Sequence, residues 1–327
     1  MLLMKEITIN ANEAGQRLDK LLAKYLNQAP RSFIYKMLRK KNIVLNGHKA
    51  SGGEILSESD HVRVYLADET YQKFANPPGS AVLSAGMTPI RIPIIYEDDN
   101  ILIMNKPVGT LSQKAKPDDV SVVEIMTSYL ISSGFLKEAD LTSFHPAVCN
   151  RLDRNTSGII VGGKTLIALR TMNQIFKERT IHKYYHCIVK GEVRNPGNFR
   201  GYLRKDSARN TVTLSEKPFE DSVFIETSYK PVKSGRDGTL LDVCLITGKT
   251  HQIRACLAKI GHPIAGDAKY GDRAWNAYYK EKYGARSQLL HAYLLEFPRI
   301  EGRLSYLSGK SFTAEEPELF RRVIENL

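Results

Sequence analysis

Between Asn150 and Val161 the chain changes character abruptly: Asn-Arg-Leu-Asp-Arg-Asn-Thr-Ser-Gly, charged and turn-forming, runs directly into Ile159-Ile160-Val161. Asn155 to Gly158 reads as a tight turn entering a buried strand, which places the carboxylate of Asp153 at a strand mouth. Arg151 and Arg154 flank that carboxylate in sequence. A neighbouring guanidinium favours the ionised form of a carboxylate and can bind it bidentately. Taken alone, the same pattern is better explained by a surface ion pair beside a turn.

The 327 residues suffice for one large domain with its own core and a smaller one. A net charge of +12 points to a polyanionic partner, and nucleic acid fits better than membrane because no long apolar segment or basic amphipathic helix stands out. Cys149, Cys187, Cys244 and Cys256 are widely spaced, without a Cys-x-x-Cys pair, and read as buried reduced thiols. The start, Met-Leu-Leu-Met-Lys-Glu, is too short in apolar run for a signal peptide, so a cytoplasmic protein is expected. No His or carboxylate spacing suggests a metal site, and no cofactor motif is found. Gly158 to Thr165 does spell a phosphate-binding loop, G-x-x-x-x-G-K-T. Its apolar residues fall inside the supposed loop and its polar ones before it, the reverse of what that loop needs.

Residues 1–66 read as a compact basic module. Leu18, Leu21, Leu22, Tyr25 and Leu26 give an amphipathic helix from about Arg17 to Asn27, and Pro30 opens a second helix buried through Ile34, Met37 and Leu38. Arg31, Lys36, Arg39, Lys40 and Lys41 line that second helix with no acid between them. Ile43-Val44-Leu45 leads into an Asn46-Gly47 turn, and Val62, Val64 and Leu66 alternate as a returning strand. Gly15-Gln-Arg-Leu-Asp-Lys-Leu-Leu, Arg31-Ser-x-x-Tyr-Lys-Met-Leu and Val44-Leu-Asn-Gly resemble an S4-like RNA-binding domain, whose basic residues would contact RNA. The bland alternative is a solvated helix end favoured by the helix dipole.

Residues 67–90, with Pro77-Pro78-Gly79 and little periodicity, read as a linker, and 91–327 as a second domain. There Ile94 to Glu97 and Ile101 to Lys106 are two strands joined by an acidic turn, and Ser121-Val-Val-Glu124 is a capping box for a helix ending near Gly134. Thr165 is placed to cap a packing helix carrying Leu169, Met172 and Ile175. Lys183 to Gly191 reads as a strand. Thr250 is placed to cap a helix running to Gly261, with His251 and Arg254 sharing an edge of its first turn.

Three of these segments together resemble the RluA-type pseudouridine synthases: Asn150 to Gly158, where the family more often has His at the first position; Lys183-Tyr184-Tyr185 through Gly191; and Thr247-Gly-Lys-Thr-His-Gln-Ile-Arg254, where Lys249 replaces a commoner Arg. Ile94 to Gly109 matches the family's opening Glu-Asp turn and Lys-Pro-x-Gly. The resemblance implies an α+β fold, with a mixed, largely antiparallel sheet as the catalytic domain and a small α/β S4-like domain before it. It implies that Asp153 is catalytic, Tyr185 packs on the target base, Arg254 is the ion-pair partner of Asp153, Ile253 is an apolar pocket wall and Arg151 fills the space left by an extruded uridine. Lys106 is either a phosphate contact or a strand-end lysine in solvent. His251 and Gln252 are read as capping or satisfying backbone groups.

Such an enzyme detaches uracil, turns it and rejoins it through carbon 5, an isomerisation that consumes no cofactor. Asp153 would act as nucleophile or as base. The expected substrate is ribosomal RNA of the large subunit, with transfer RNA next, and the expected enzyme is a monomer. Two other classes stand beside this reading: a catalytically silent RNA-binding protein of ribosome assembly, and a hydrolytic glycosidase, which would need a second carboxylate flanking the bond.

Overall fold

The computed structural model describes residues 2–75 and 91–327. The chain divides into two compact units. The first contains 2–75 together with Glu124–Ala147 and Lys164–Ile167, and the second the remaining described residues.

In the first unit, β1 (Leu2–Thr8), α1 (Leu18–Tyr25), α2 (Arg31–Arg39), β2 (Ile43–Leu45), β3 (His48–Lys49) and β4 (His61–Ala67) are followed by α3 (Asp68–Phe74). The strands form one antiparallel sheet in the order β1-β4-β2-β3. Leu18, Leu21 and Leu22 of α1 and Ile34, Met37 and Leu38 of α2 are buried with Val62, Val64 and Leu66 of β4 in one core. Asn46 and Gly47 both take positive φ, 51° and 78°, as the two-residue turn between twisted strands requires. Two features differ from the sequence reading. Strand β1 was not expected, and the stretch expected as linker begins as helix α3, whose Tyr71 and Phe74 pack on this core. The Pro77-Pro78 segment lies outside the described residues.

The chain continues as β5 (Ile94–Glu97), β6 (Ile101–Lys106), α4 (Val122–Ser132), β7 (Ala147–Val148), β8 (Ser157–Gly163), α5 (Leu166–Glu178), β9 (His182–Val189), β10 (Gly197–Asp206), β11 (Thr211–Ser215), β12 (Val223–Gly235), β13 (Gly238–Leu245), α6 (Gln252–Lys259), α7 (Arg273–Tyr283), β14 (Leu290–Glu296), β15 (Ser311–Thr313) and α8 (Glu318–Glu325). The sheet runs β11-β10-β12-β13-β9-β14-β8-β6-β5, with β7 and β15 attached to β8 and β14. Along that path the pairs are antiparallel except β8 with β14. This is the mixed, largely antiparallel α+β sheet that the sequence led one to expect. Asp98 closes the β5–β6 turn by accepting from the N–H groups of Asn100 and Ile101. Pro231 cannot donate to the ladder, and the register of β12 against β13 shifts between Pro231 and Lys233. The four cysteines are free thiols; Cys187 and Cys256 are buried, whereas Cys149 and Cys244 are only partly so. Among the described residues no helix is long and apolar enough to cross a membrane.

Every residue of β8 is buried, so the P-loop spelling lies on a core strand, not on a loop. The start of β8 positions everything that follows. Gly158 pairs with Ala292 of β14, Ala292 with Tyr185 of β9, and Tyr185 with Val243 of β13, one row across four strands. Gly158 has φ +113°, and a Cβ there would lie 2.2 Å from the carbonyl oxygen of Ala292. Gly158→Ala should therefore cost about 2–4 kcal/mol through backbone strain and overpacking, read as a lowered urea midpoint at unchanged slope.

Candidate active site

The loop before β8 is held by its own polar groups. The Asn150 carboxamide donates to the Ile159 carbonyl at 3.1 Å and accepts from the Val161 N–H at 2.8 Å, so it lies along β8 as a further strand rung would. The Thr156 N–H closes a turn on the Asp153 carbonyl at 3.0 Å. A second loop, after β6, is laced to this one. The Gly109 N–H donates to the Arg154 carbonyl, Arg154 Nε returns a bond to the Gly109 carbonyl, and the Ser112 hydroxyl bonds both the N–H and the carbonyl of Leu152.

Lys106 sits at the centre of that lacing and corrects both of its expected roles. Its side chain is 0 % exposed, and Nζ donates to the carbonyls of Pro107, Thr110 and Arg154 at 3.1, 2.8 and 3.0 Å. It ties two loops together and has no surface to offer a phosphate or solvent. Burial pulls its pKa down to about 7, while the Asp153 charge works the other way. The three carbonyls around Nζ favour the ammonium as well.

Asp153 is not paired with its sequence neighbours. Arg154 is engaged with Gly109 and Arg151 is exposed, and the carboxylate instead meets α6: Arg254 Nη1 lies 2.8 Å from Asp153 Oδ2. The rest of the guanidinium is clamped by Asp267, with Nε to Oδ2 at 2.7 Å and Nη2 to Oδ1 at 2.9 Å. Asp267 Oδ1 also accepts the N–H groups of Lys269 and Tyr270. The side chains of Asp267 and Arg254 are 0 % and 7 % exposed, that of Asp153 26 %. Burial opposes the charge of Asp267, and its bonds from Arg254 outweigh it, so its pKa is lowered. Burial likewise opposes the charge of Arg254, but the two carboxylates leave its pKa raised.

The start of α6 differs from expectation. Thr250 does not cap it; the helix begins at Gln252, and His251 precedes it in a left-handed conformation with φ 54°. Gln252 behaves as the sequence reading had it, bonding the Glu226 carbonyl, the hydroxyls of Thr227 and Thr247 and the Lys249 N–H. His251 does not. Its Nε2 lies 3.8 Å from Asp153 Oδ2 and its Nδ1 3.0 Å from the Tyr270 hydroxyl. Gly266-Asp267 and Tyr270-Gly271 complete the pattern that resembles the family, but neither the clamping role of Asp267 nor the bond between Tyr270 and His251 was read from the sequence.

Asp153, His251, Gln252 and Arg254 line a cavity of about 1030 Å³. Tyr185 and Ile253, both buried, line it together with Leu152. Burial, and after it the charge of Asp153, raises the pKa of Tyr185, which keeps it a neutral phenol. Asp153 is the one carboxylate among the described lining residues, against Arg151, Lys114, Lys177, Arg179, Lys183 and Lys249. A basic cavity with a single aimed carboxylate and an aromatic wall suits a polyanion that presents a flat neutral ring. In the first unit, Arg31, Lys36, Arg39, Lys40 and Lys41 are exposed on α2 and just beyond it. Among the described residues no group of three His, Cys, Asp or Glu side chains could hold a metal ion.

The clamp makes a direct prediction. Asp267→Ala leaves a buried guanidinium with half its partners and should lower stability by about 3–5 kcal/mol. Because the folded-state pKa of Asp267 lies below the ordinary value of 3.8, its contribution is present above that pH and is lost as pH falls through the folded value. Acid titration of unfolding free energy should show this loss in the wild type and not in the variant.

Residues 100–259 match the family model for RNA pseudouridylate synthase. An uncharacterized RNA pseudouridine synthase of Mycoplasma genitalium is 32% identical over 92% of this chain and 91% of its own. The ribosomal large subunit pseudouridine synthase C of Vibrio vulnificus is 31% identical over 89% of this chain and 87% of its own. Among solved structures, human RNA pseudouridylate synthase domain containing 4 covers 72% of this chain and 92% of its own, with a TM-score of 0.54 and 22% identity, and so shares the fold. The chain therefore belongs to the RluA-type RNA pseudouridine synthases, isomerases that convert uridine in RNA to pseudouridine.

Proposed function

We propose that Asp153 is the carboxylate that acts on the target uridine, and that the target lies in large-subunit ribosomal RNA. The observation that carries the first part is the 2.8 Å approach of Arg254 to Asp153, the single carboxylate lining a cationic cavity. The second part is supported by the relatives from Vibrio species, whose name assigns them to the ribosomal large subunit. Asp153 must be ionised both to attack the sugar and to take a proton. Arg254, itself immobilised by Asp267, fixes the direction of that charge.

The reacting bond is inaccessible in a stacked helix, so the uridine is extruded at a cost of a few kcal/mol. Tyr185 stacks on the extruded base, an interaction worth about 1–3 kcal/mol, and Ile253 closes its apolar side. Arg151, exposed at the same cavity, occupies the vacated position in the RNA. Residues 1–66 act as an S4-like RNA-binding module, with Arg31, Lys36, Arg39, Lys40 and Lys41 on phosphates, and the enzyme works as a cytoplasmic monomer with 91–327 as its catalytic domain. Lys106, expected as a substrate phosphate contact, is buried and touches no substrate.

Pseudouridine mapping on total RNA, by carbodiimide labelling and primer extension, tests the assignment. In cells lacking the gene, one or a few sites in large-subunit ribosomal RNA should vanish and return with the wild type but not with Asp153→Ala. Sites that vanish from transfer RNA instead would overturn the substrate, and rescue by Asp153→Ala would overturn the residue. Replacing Arg39, Lys40 and Lys41 together should weaken RNA binding and flatten the slope of log affinity against log salt by roughly one unit for each phosphate that is no longer neutralised. An unchanged slope would remove α2 from the interface.

A further inference from the structure

We propose that His251 is a second hydrogen-bond donor to Asp153, and that Tyr270 sets this role by holding the imidazole in the tautomer with its proton on Nε2. The argument is one of proton counting. The Tyr270 oxygen accepts the N–H of Val212, on edge strand β11, at 2.9 Å. The Tyr270 hydroxyl also lies 3.0 Å from His251 Nδ1. If Nδ1 carried the proton and donated, the hydroxyl proton would have no acceptor among the described residues. With the hydroxyl donating to Nδ1, the hydroxyl, Nδ1 and the Val212 N–H are all paired, and the proton of a neutral imidazole then resides on Nε2. Nε2 is the ring atom that faces Asp153 Oδ2, at 3.8 Å.

That distance exceeds a hydrogen bond, and separations of this kind shorten when the substrate fills the site. Two further observations point the same way. Burial lowers the pKa of His251; Asp153 opposes this, and Arg254 and Lys269 add to it, so the ring works as a neutral donor and not as a second cation. The ring reaches the site from a residue with φ 54°, a left-handed conformation that costs a non-glycine residue free energy. Arg254 and His251 converge on Oδ2, which leaves Oδ1 of Asp153 as the oxygen directed to the uridine. His251 and Tyr270 are thus positioning residues, acting through Asp153.

This inference rests on Asp153 being the reacting carboxylate, and its test separates the two. The full-length protein labelled with ring-15N histidine reports the tautomer directly, the His251 signal being identified by its disappearance in His251→Asn, a residue tolerant of positive φ. The expected result is an Nε2–H tautomer in the wild type, shifting towards Nδ1–H in Tyr270→Phe. Single-turnover rates at saturating enzyme should fall roughly tenfold or more in His251→Asn and less in Tyr270→Phe, with RNA affinity within about twofold of wild type. The double variant should be no slower than His251→Asn alone, because Tyr270 acts through His251. An Nδ1–H tautomer in the wild type overturns the proposal, as does a wild-type rate in His251→Asn or a double variant showing the product of the two rate reductions. Turnover retained in Asp153→Ala would instead sink the assignment of Asp153, with the wild-type tautomer unchanged.

Discussion

The site depends on one guanidinium taken out of water between two carboxylates. Burying Arg254 is costly unless its donors are satisfied, and Asp267 satisfies one whole edge of the fork bidentately. Asp267 can do so because two backbone N–H groups and its own complete burial hold it still. What remains of the fork, Nη1, projects towards the cavity and meets Asp153. A lysine at position 254 could supply the charge but not the fixed angle between the two carboxylates. The direction of the Asp153 charge is therefore inherited from a residue that is itself fully buried.

The sheet supplies the other half of the geometry. Asp153 lies in a loop, and loops move unless they are tied. Here one tie is Asn150, which runs its carboxamide along β8, and the other is Lys106, whose three carbonyl bonds knit the loop after β6 to the loop carrying Asp153. Tyr185 comes from a different strand, and its place beside the loop follows from the row Gly158, Ala292, Tyr185 across β8, β14 and β9. Gly158 allows the close approach of β14 that makes the row. Side chains far apart in sequence are thus brought to one cavity by strand register.

Local signals in the sequence were legible and distant ones were not. The helices α1 and α2, the Asn46-Gly47 turn, the acidic turn at Asp98 and the buried strand β8 could be read from periodicity and turn chemistry. Strand β1, whose partner β4 lies some sixty residues away, could not. The same limit applies to the site. Adjacent charges suggested pairing of Asp153 with Arg151 and Arg154, yet its partner lies 101 positions away, and only resemblance to a known family pointed to Arg254. Lys106 looked exposed because it ends a strand; its burial follows from a loop packed over it from elsewhere in the chain. Thr250 had the chemistry of a helix cap, but the left-handed turn at His251 starts α6 two residues later. His251 and Tyr270 each fell in a stretch resembling the family, but their contact could not be read from it, since their bond exists only once α6 and the loop after it are folded.

The supply of carboxylates also bears on the chemistry. Hydrolysing a glycosidic bond needs one group to activate water and another to assist the leaving base. Asp267, the other acid on Arg254, is fully buried, both oxygens engaged by the guanidinium, where neither water nor a sugar can reach it. An enzyme that must rejoin the base it has detached gains from this arrangement. On the proposed assignment, Asp153, the one carboxylate among the described lining residues, serves the sugar and base, while Tyr185, Ile253 and Leu152 offer the free uracil apolar walls in place of solvent. On that assignment, withholding a second carboxylate from the cavity favours return of the base over its escape, and the same Asp267 that aims the Asp153 charge through Arg254 is an acid kept out of reach.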